Sequence, residues 1–240
     1  MGKTARLLLK NKWFNAVLIT VTITLILLTS FLLQILFLPK DLALLFSVLT
    51  SFLIIKPTTL GYKRWCATLK PSEKAKFFDL FYFFKTPKRY FKSVFVGLAV
   101  SLRVLFKAVL SMLLPATFFG IADWLESQPQ TEITEIFTKN CVLLGIFSVV
   151  IFSILFVVSV SRNVAVSYFV AADETTKIRD AVKLSSQFMR ENSKQVLKTV
   201  SPFFVLCVLI VPVFLIIPYF VTVFAQYIKN FKQEITFADV

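Results

Sequence analysis

Arg103 and Lys107 stand four residues apart in Ser101–Pro115, "SLRVLFKAVLSMLLP", inside a long apolar region. On a helix that spacing puts both cations on one face. Two kinds of chemistry fit the pattern. Cations buried in hydrocarbon would make a site for an anion or a lipid phosphate, because each costs at least about 2.5 kcal/mol on insertion scales. Cations at the end of a span would reach back to the headgroups and mark the membrane boundary. The register decides between them. If the span runs over 104–124, Trp124 sits at the outer interface, Arg103 at the inner edge, and Lys107 about 6 Å deeper, within reach of headgroups. If it runs over 93–113, both charges lie near mid-bilayer and need a partner or a water cavity, yet the apolar runs contain no acid. The first register avoids that cost and is the one expected.

A second cationic group lies in "FFDLFYFFKTPKRYFK", Phe77–Lys92, where Phe and Tyr alternate with Lys85, Lys88, Arg89 and Lys92. Aromatic bodies with cationic tips suit the headgroup layer. Lys88, Arg89 and Lys92 therefore join Arg103 and Lys107 as candidate contacts to anions or lipid headgroups. The plainer alternative, a cytoplasmic loop with an interfacial helix, explains the same residues and is preferred.

Other chemistry finds little support. The chain has no histidine, which removes His metal ligands, Ser-His-Asp triads and histidine proton relays. Cys66, Cys141 and Cys207 are far apart, with no CxxC pair to suggest a disulfide framework or a thiolate metal site. Glu132 and Glu135 could share a helix face, but two carboxylates in an acidic loop are usually solvated charge. No P-loop, GxGxxG or HExxH is present. No catalytic, cofactor-binding or metal-binding residue is expected, and the chain does not read as an enzyme. Ion-coupled carriage would need intramembrane carboxylates, and no halved symmetry is visible.

These residues must be positioned by membrane helices. The composition is 57% hydrophobic, with 28 Phe and only 5 Gly in 240 residues, against about 45–50% apolar in soluble domains. Residues 13–38, 142–161 and 202–228 contain no Asp, Glu, Lys or Arg, and about 20 apolar residues cross a bilayer as a helix. The fold expected is all-α: a polytopic transmembrane helix bundle in a single domain over 1–240. It has about five spans, at about 13–38, 39–56, 104–124, 142–161 and 202–228, plus cytoplasmic interfacial amphipathic helices. Trp13–Leu38 is too long for a signal-peptide core of about 7–15 residues and reads as a retained span. Pro57 and Gly61 should bend or end span two. Asp123–Thr138 reads as a short acidic loop. In Lys177–Val200, Ile178, Val182, Ser185, Met189 and Val196 fall near one face, as in a helix lying along the surface. Ser201-Pro202 should open span five with a cap and a first-turn proline, and Pro212 and Pro218 should kink it.

Charge sets the orientation. Residues 1–12 carry Lys3, Arg6, Lys10 and Lys12; 56–92 carry ten Lys/Arg against Glu73 and Asp79; 161–200 carry seven Lys/Arg against four acids. The intervening 122–138 segment carries four acids and no base. By the positive-inside rule the N-terminus is cytoplasmic, and five full spans leave the tail outside. A fifth segment broken at Pro212 or Pro218 would return the tail to the inside. The net charge of +14 is explained by these connections, without a nucleic-acid partner.

Two stretches resemble a family of uncharacterised bacterial integral membrane proteins, a domain of unknown function loosely related to the membrane domain attached to some glycerophosphodiester phosphodiesterases. In Pro57–Ser93 the matching residues are Pro57, Gly61, Tyr62, Asp79, Leu80 and Phe81. In Ser167–Lys194 they are Tyr168, Asp173, Ala181, Ser185 and Met189, and Pro218-Tyr219 resembles a late Pro-Tyr of the family. Lys56 stands where the family usually has Gly, and Pro115-Ala116 where it often has Pro-Gly. The resemblance implies a bacterial plasma membrane and no established activity. The function expected is that of a non-enzymatic multi-pass protein, an accessory or partner-binding component of envelope or transport processes. Its partners would be a bilayer with anionic headgroups and other membrane proteins. The alternative is a small transporter or lipid-handling protein for an anionic substrate, with Arg103 and Lys107 at its site.

Overall fold

Charge-free stretches rich in Leu, Ile, Val and Phe have no way to satisfy their backbone in lipid except as helices, and the chain is helical almost throughout. The computed structural model describes residues 2–37, 39–70, 76–129, 131–206 and 210–238, and shows no strand among them. The helices are α1 Gly2–Leu9, α2 Trp13–Phe37, α3 Lys40–Thr50, α4 Lys56–Thr68, α5 Pro87–Glu126, α6 Glu132–Ser161, α7 Val166–Ala172, α8 Ile178–Leu206 and α9 Ile210–Ala238. A π turn, Ser51–Ile55, joins α3 to α4, and a 3₁₀ segment, Phe77–Phe84, precedes α5.

Four stretches are long and apolar enough to cross a membrane: Trp13–Leu36, Leu42–Thr68, Pro87–Glu126 and Glu132–Ala172. They keep large apolar side chains exposed, such as Leu44, Phe106, Phe147 and Val157. That is what hydrocarbon, rather than water, tolerates. The fifth expected span, 202–228, lies partly outside the described residues.

Several boundaries differ from those read in the sequence. Span two, expected to close near 56, continues as α4 to Thr68, so Pro57 and Gly61 do not end it. Proline has no N–H and crowds the carbonyl four residues back. Here that carbonyl belongs to Leu53, inside the π turn, and it accepts a hydrogen bond from the Tyr90 hydroxyl at 3.0 Å. A tertiary partner thus replaces the missing helix bond. Span three, expected over 104–124, is the C-terminal part of the much longer α5. The acidic segment is mostly helix as well. α5 runs to Glu126, and α6 starts at Glu132 on a capping box in which Thr131 and Thr134 exchange side-chain and backbone bonds. Ser201-Pro202 does not open a helix, because α8 runs through to Leu206.

Two compact units divide the chain: residues 1–99 with 164–240, and residues 100–163. In the first, Phe169, Phe188, Phe224 and Phe231 meet edge to face, with Phe188 and Phe231 centroids 5.2 Å apart, and tie α7, α8 and α9 together. The buried face of α8 is Ala181, Ser185, Phe188 and Met189. It shares Ser185 and Met189 with the sequence pattern, but Ala181 and Phe188 complete it where Ile178, Val182 and Val196 were expected. α4 packs on the 3₁₀ segment so closely that a Cβ at Gly61 would meet the Leu80 carbonyl oxygen at 1.9 Å. α1 and the end of α9 pack in this same unit, with Ala5, Leu8, Leu9, Ile228 and Phe231 buried.

In the second unit the buried positions include Ser111, Pro115 and Ala122 of α5, Thr138 and Ser148 of α6, and Asn163 after it. Gly145 of α6 faces the Phe119 ring.

Candidate functional site: a carboxylate hub at Asp173 and Glu174

α7 is an apolar helix whose Val166, Phe169, Val170 and Ala171 are buried. Two acids, Asp173 and Glu174, follow it directly, so burial of α7 pins both carboxylates against neighbouring helices. Arg64 of α4 and Arg89 of α5 converge on Glu174. Arg64 Nη1 forms an ion pair with Oε1 at 3.0 Å, and Arg89 Nε donates to Oε2 at 3.1 Å. Between the two guanidiniums lies Tyr82 of the 3₁₀ segment. Arg64 stacks 3.8 Å from its ring centroid and Arg89 4.4 Å, both within cation–π range. The tyrosine hydroxyl also bonds to Glu174. Lys92 donates to the Glu174 backbone carbonyl and, at 3.1 Å, to that of Thr176. Four side chains from three elements are thereby fastened to one glutamate.

Asp173 is just as fully engaged. Its Oδ1 accepts the Thr175 backbone N–H at 2.8 Å and the Thr175 hydroxyl at 2.7 Å. Its Oδ2 accepts Lys232 Nζ of α9 at 2.5 Å and the Thr176 hydroxyl at 3.2 Å. Partial burial opposes ionisation of both acids. At Asp173 the bonds from Lys232 and Thr175 outweigh it and hold the carboxyl well below its usual range. At Glu174 the Tyr82 hydroxyl and the two arginines do the same. Burial, then the bond to Glu174, pushes the Tyr82 phenol up. Carboxylates held this firmly as anions are poor proton acceptors, so the hub can clamp but is ill suited to acid–base chemistry.

A buried polar contact lies nearby. Lys63 Nζ of α4 donates to the Ser167 hydroxyl at 2.5 Å and stands 4.7 Å from the Tyr168 ring centroid. Among the described residues no group of three or more His, Cys, Asp or Glu could hold a metal ion.

The five cations singled out in the sequence fall into different places. Arg89 and Lys92 belong to the hub, while Lys88 beside them is exposed. Lys107 donates to the Ser159 carbonyl at 2.7 Å. That oxygen lies in the last turn of α6, where carbonyls lack helix partners and a cation complements the dipole. Arg103 is exposed. Of these two cations, Lys107 closes a helix end and Arg103 lies exposed beside it.

Sequence reasoning missed Arg64, Tyr82, Glu174 and Lys232. One signal was available: the adjacent acids Asp173-Glu174 directly follow the apolar run Val164–Ala172. No family model, no curated protein and no solved structure matches this chain.

Proposed function

We propose that this chain is a non-enzymatic multi-pass protein of a bacterial plasma membrane, with its N-terminus cytoplasmic. It serves as an accessory or partner-binding component of an envelope or transport process. The observation that carries this reading is the use made of its cations. Arg64, Arg89, Lys92, Lys107 and Lys232 each bind an acceptor supplied by the chain itself, as in a rigid scaffold rather than an open anion path. The resemblance of Pro57–Ser93 and Ser167–Lys194 to uncharacterised bacterial integral membrane proteins supports the location.

The register 104–124 for span three is favoured, because Arg89 and Lys92 at the start of α5 are committed to Glu174. The end of α9 is read as returning to the side on which α8 begins, because α8 and α9 share the Phe188–Phe224 contact while Lys232 pairs with Asp173. The tail is then cytoplasmic like the N-terminus.

The test is reconstitution of the full chain in proteoliposomes, together with site-specific crosslinking in native membranes. The scaffold reading expects no anion flux and no lipid scrambling. It expects a discrete crosslinked partner that persists in the double variant Arg103→Leu/Lys107→Leu. Flux or scrambling that this variant abolishes would overturn it in favour of an anion carrier. Reporter fusions after residue 12 and after residue 232 should report the same side.

A further inference from the structure

Lys56 opens α4 and Lys63 follows seven residues later. Two helical turns put both lysines on one face, about 10 Å apart along the axis. Their charges are near enough to repel each other. Both are partly buried, as is Ser167 of α7. We propose that Lys56 and Lys63, together with the Ser167 hydroxyl, bind a phosphate group.

The argument is one of missing counter-charge. Partly buried cations are normally paired with an anion. The next residue along, Arg64, has Glu174. Lys63 has only the Ser167 oxygen at 2.5 Å and the Tyr168 ring at 4.7 Å, and neither carries a negative charge. Among the described residues the Lys56 and Lys63 ammonium groups form no ion pair with an acid. Ser167 accepts from Lys63, so its own O–H is left to donate elsewhere, and no acceptor meets it among the described residues. Lys56 is not a loose surface chain. A Cβ at Gly97 of α5 would meet its Cγ at 2.9 Å and its Cβ at 3.0 Å, so the bare glycine gives the lysine stem its place. Two ammonium groups and one hydroxyl donor, with a charge of plus two, complement phosphate oxygens, which lysine grips as a point charge.

Depth points the same way. About 20 residues cross the hydrocarbon, which from Leu42 ends about at Gly61. Lys63 therefore stands at the headgroup layer, and Lys56 roughly 8 Å inside it, a depth from which a lysine stem reaches back. The phosphate is either that of a lipid headgroup or a free one from the adjoining water. The site does not depend on the accessory role, and its loss would leave that reading standing.

The full chain is purified in dodecyl maltoside, which carries no phosphate, and its melting temperature is followed. Phosphatidylglycerol is added against diacylglycerol with the same tails, and inorganic phosphate against chloride at equal ionic strength. Stabilisation by phosphatidylglycerol beyond diacylglycerol assigns a lipid headgroup; stabilisation by phosphate beyond chloride assigns a free phosphate. In either case Lys56→Gln/Lys63→Gln should weaken binding at least about tenfold, the worth of one lost bond to a charged group. Lys56→Gln alone keeps the Lys63–Ser167 bond and relieves the repulsion. It should weaken binding without lowering the unliganded melting temperature, and it carries the test if the double variant does not fold. The proposal fails if neither phosphate source stabilises beyond its control, or if the variants respond like the parent. It fails equally if Lys56→Gln lowers the unliganded melting temperature, because Lys56 would then already have its counter-charge within the chain.

Discussion

The two units of this chain solve different packing problems with the same residue types. Residues 1–99 with 164–240 bury Trp65, Phe83, Phe169 and Phe188 almost completely and lace their helices with ion pairs at Asp173 and Glu174. Residues 100–163 contain Phe as well, but Phe106, Phe119, Phe137 and Phe147 are exposed, and the residues buried within α5 and α6 are Ser, Thr, Ala, Gly and Pro115. In lipid a large apolar side chain gains little by leaving the hydrocarbon for a protein interface, so helices approach through small residues. The first unit carries a core of the kind water demands, with aromatic clusters and charged contacts that become strong once partly shielded. Phenylalanine content alone therefore does not distinguish a membrane surface from a core.

The strongest way to break this contrast is at Gly61. Its missing side chain lets the Leu80 carbonyl approach to 1.9 Å from where a Cβ would stand. A backbone oxygen within a packed segment cannot rotate away. Gly61→Ala should separate α4 from the 3₁₀ segment and cost about 3 kcal/mol or more, at the severe end of overpacking. The expected readout is loss of monodisperse protein after detergent extraction, and a melting temperature close to the parent's would refute so tight a contact.

Second in size is Glu174→Gln. The substitution leaves Arg64 and Arg89 on either side of Tyr82 without their shared anion. Because the glutamate is about one quarter exposed, 27%, solvent screening reduces the cost to about 1–2 kcal/mol. Its pH dependence sharpens the assignment. The carboxyl is held below its usual range, against the opposing effect of burial, by the Tyr82 bond and the arginines. Its stabilisation is therefore complete above the ordinary glutamate value of about 4.3 and is lost as pH falls through the lower folded value. Melting of parent and variant should differ by a constant amount from neutral pH down to about 5, and converge only in stronger acid. Convergence already near pH 6 would mean the carboxylate is not held as described.

How much of this was legible beforehand follows the same division. The helices of the second unit were readable because lipid imposes one rule, an uninterrupted apolar run, and 142–161 obeys it. Their ends were not, because Thr131-x-x-Thr134 caps α6 and draws the acidic residues into helix. In the first unit, Gly61, Leu80, Asp173, Ala181 and Ser185 were noticed as a pattern, yet their meeting in space was not deducible. Gly61 touches Leu80 only after the chain has returned through the 3₁₀ segment. Glu174 gathers Arg64 and Arg89 from positions 110 and 85 residues away. Charge counts per segment record totals and carry no information about such pairings. At the tail, likewise, a neutral segment gave no hint of the pair between Lys232 and Asp173.

The next effect belongs to the second unit. Lys107→Met keeps most of the side-chain length and removes the donor to the Ser159 carbonyl. It should lower stability by about 0.5–1 kcal/mol, the usual worth of a cation at a helix C-terminus. Arg103→Met should change the melting temperature less. Equal losses would restore the view that the two cations act as a pair.

The smallest effect isolates the contrast between the units. Gly145 of α6 also faces a close neighbour, but a Cβ there would meet the far end of the Phe119 ring, with Cζ at 2.9 Å. Phe119 is 40% exposed, so its ring can swing outward into the surrounding hydrocarbon without exposing a polar group or moving backbone. Alanine also removes the conformational cost of glycine within a helix, about 0.5–1 kcal/mol in its favour. Gly145→Ala should therefore change the melting temperature by no more than the equivalent of about 1 kcal/mol in either direction, far less than Gly61→Ala. Two glycines, each with a neighbour under 3 Å from its virtual Cβ, would then differ because one neighbour is a carbonyl fixed in a core and the other a ring free to move in lipid. A loss at Gly145 as large as that at Gly61 would mean that the second unit is packed as rigidly as the first, and that its exposed rings are held in place by contacts beyond a fluid bilayer.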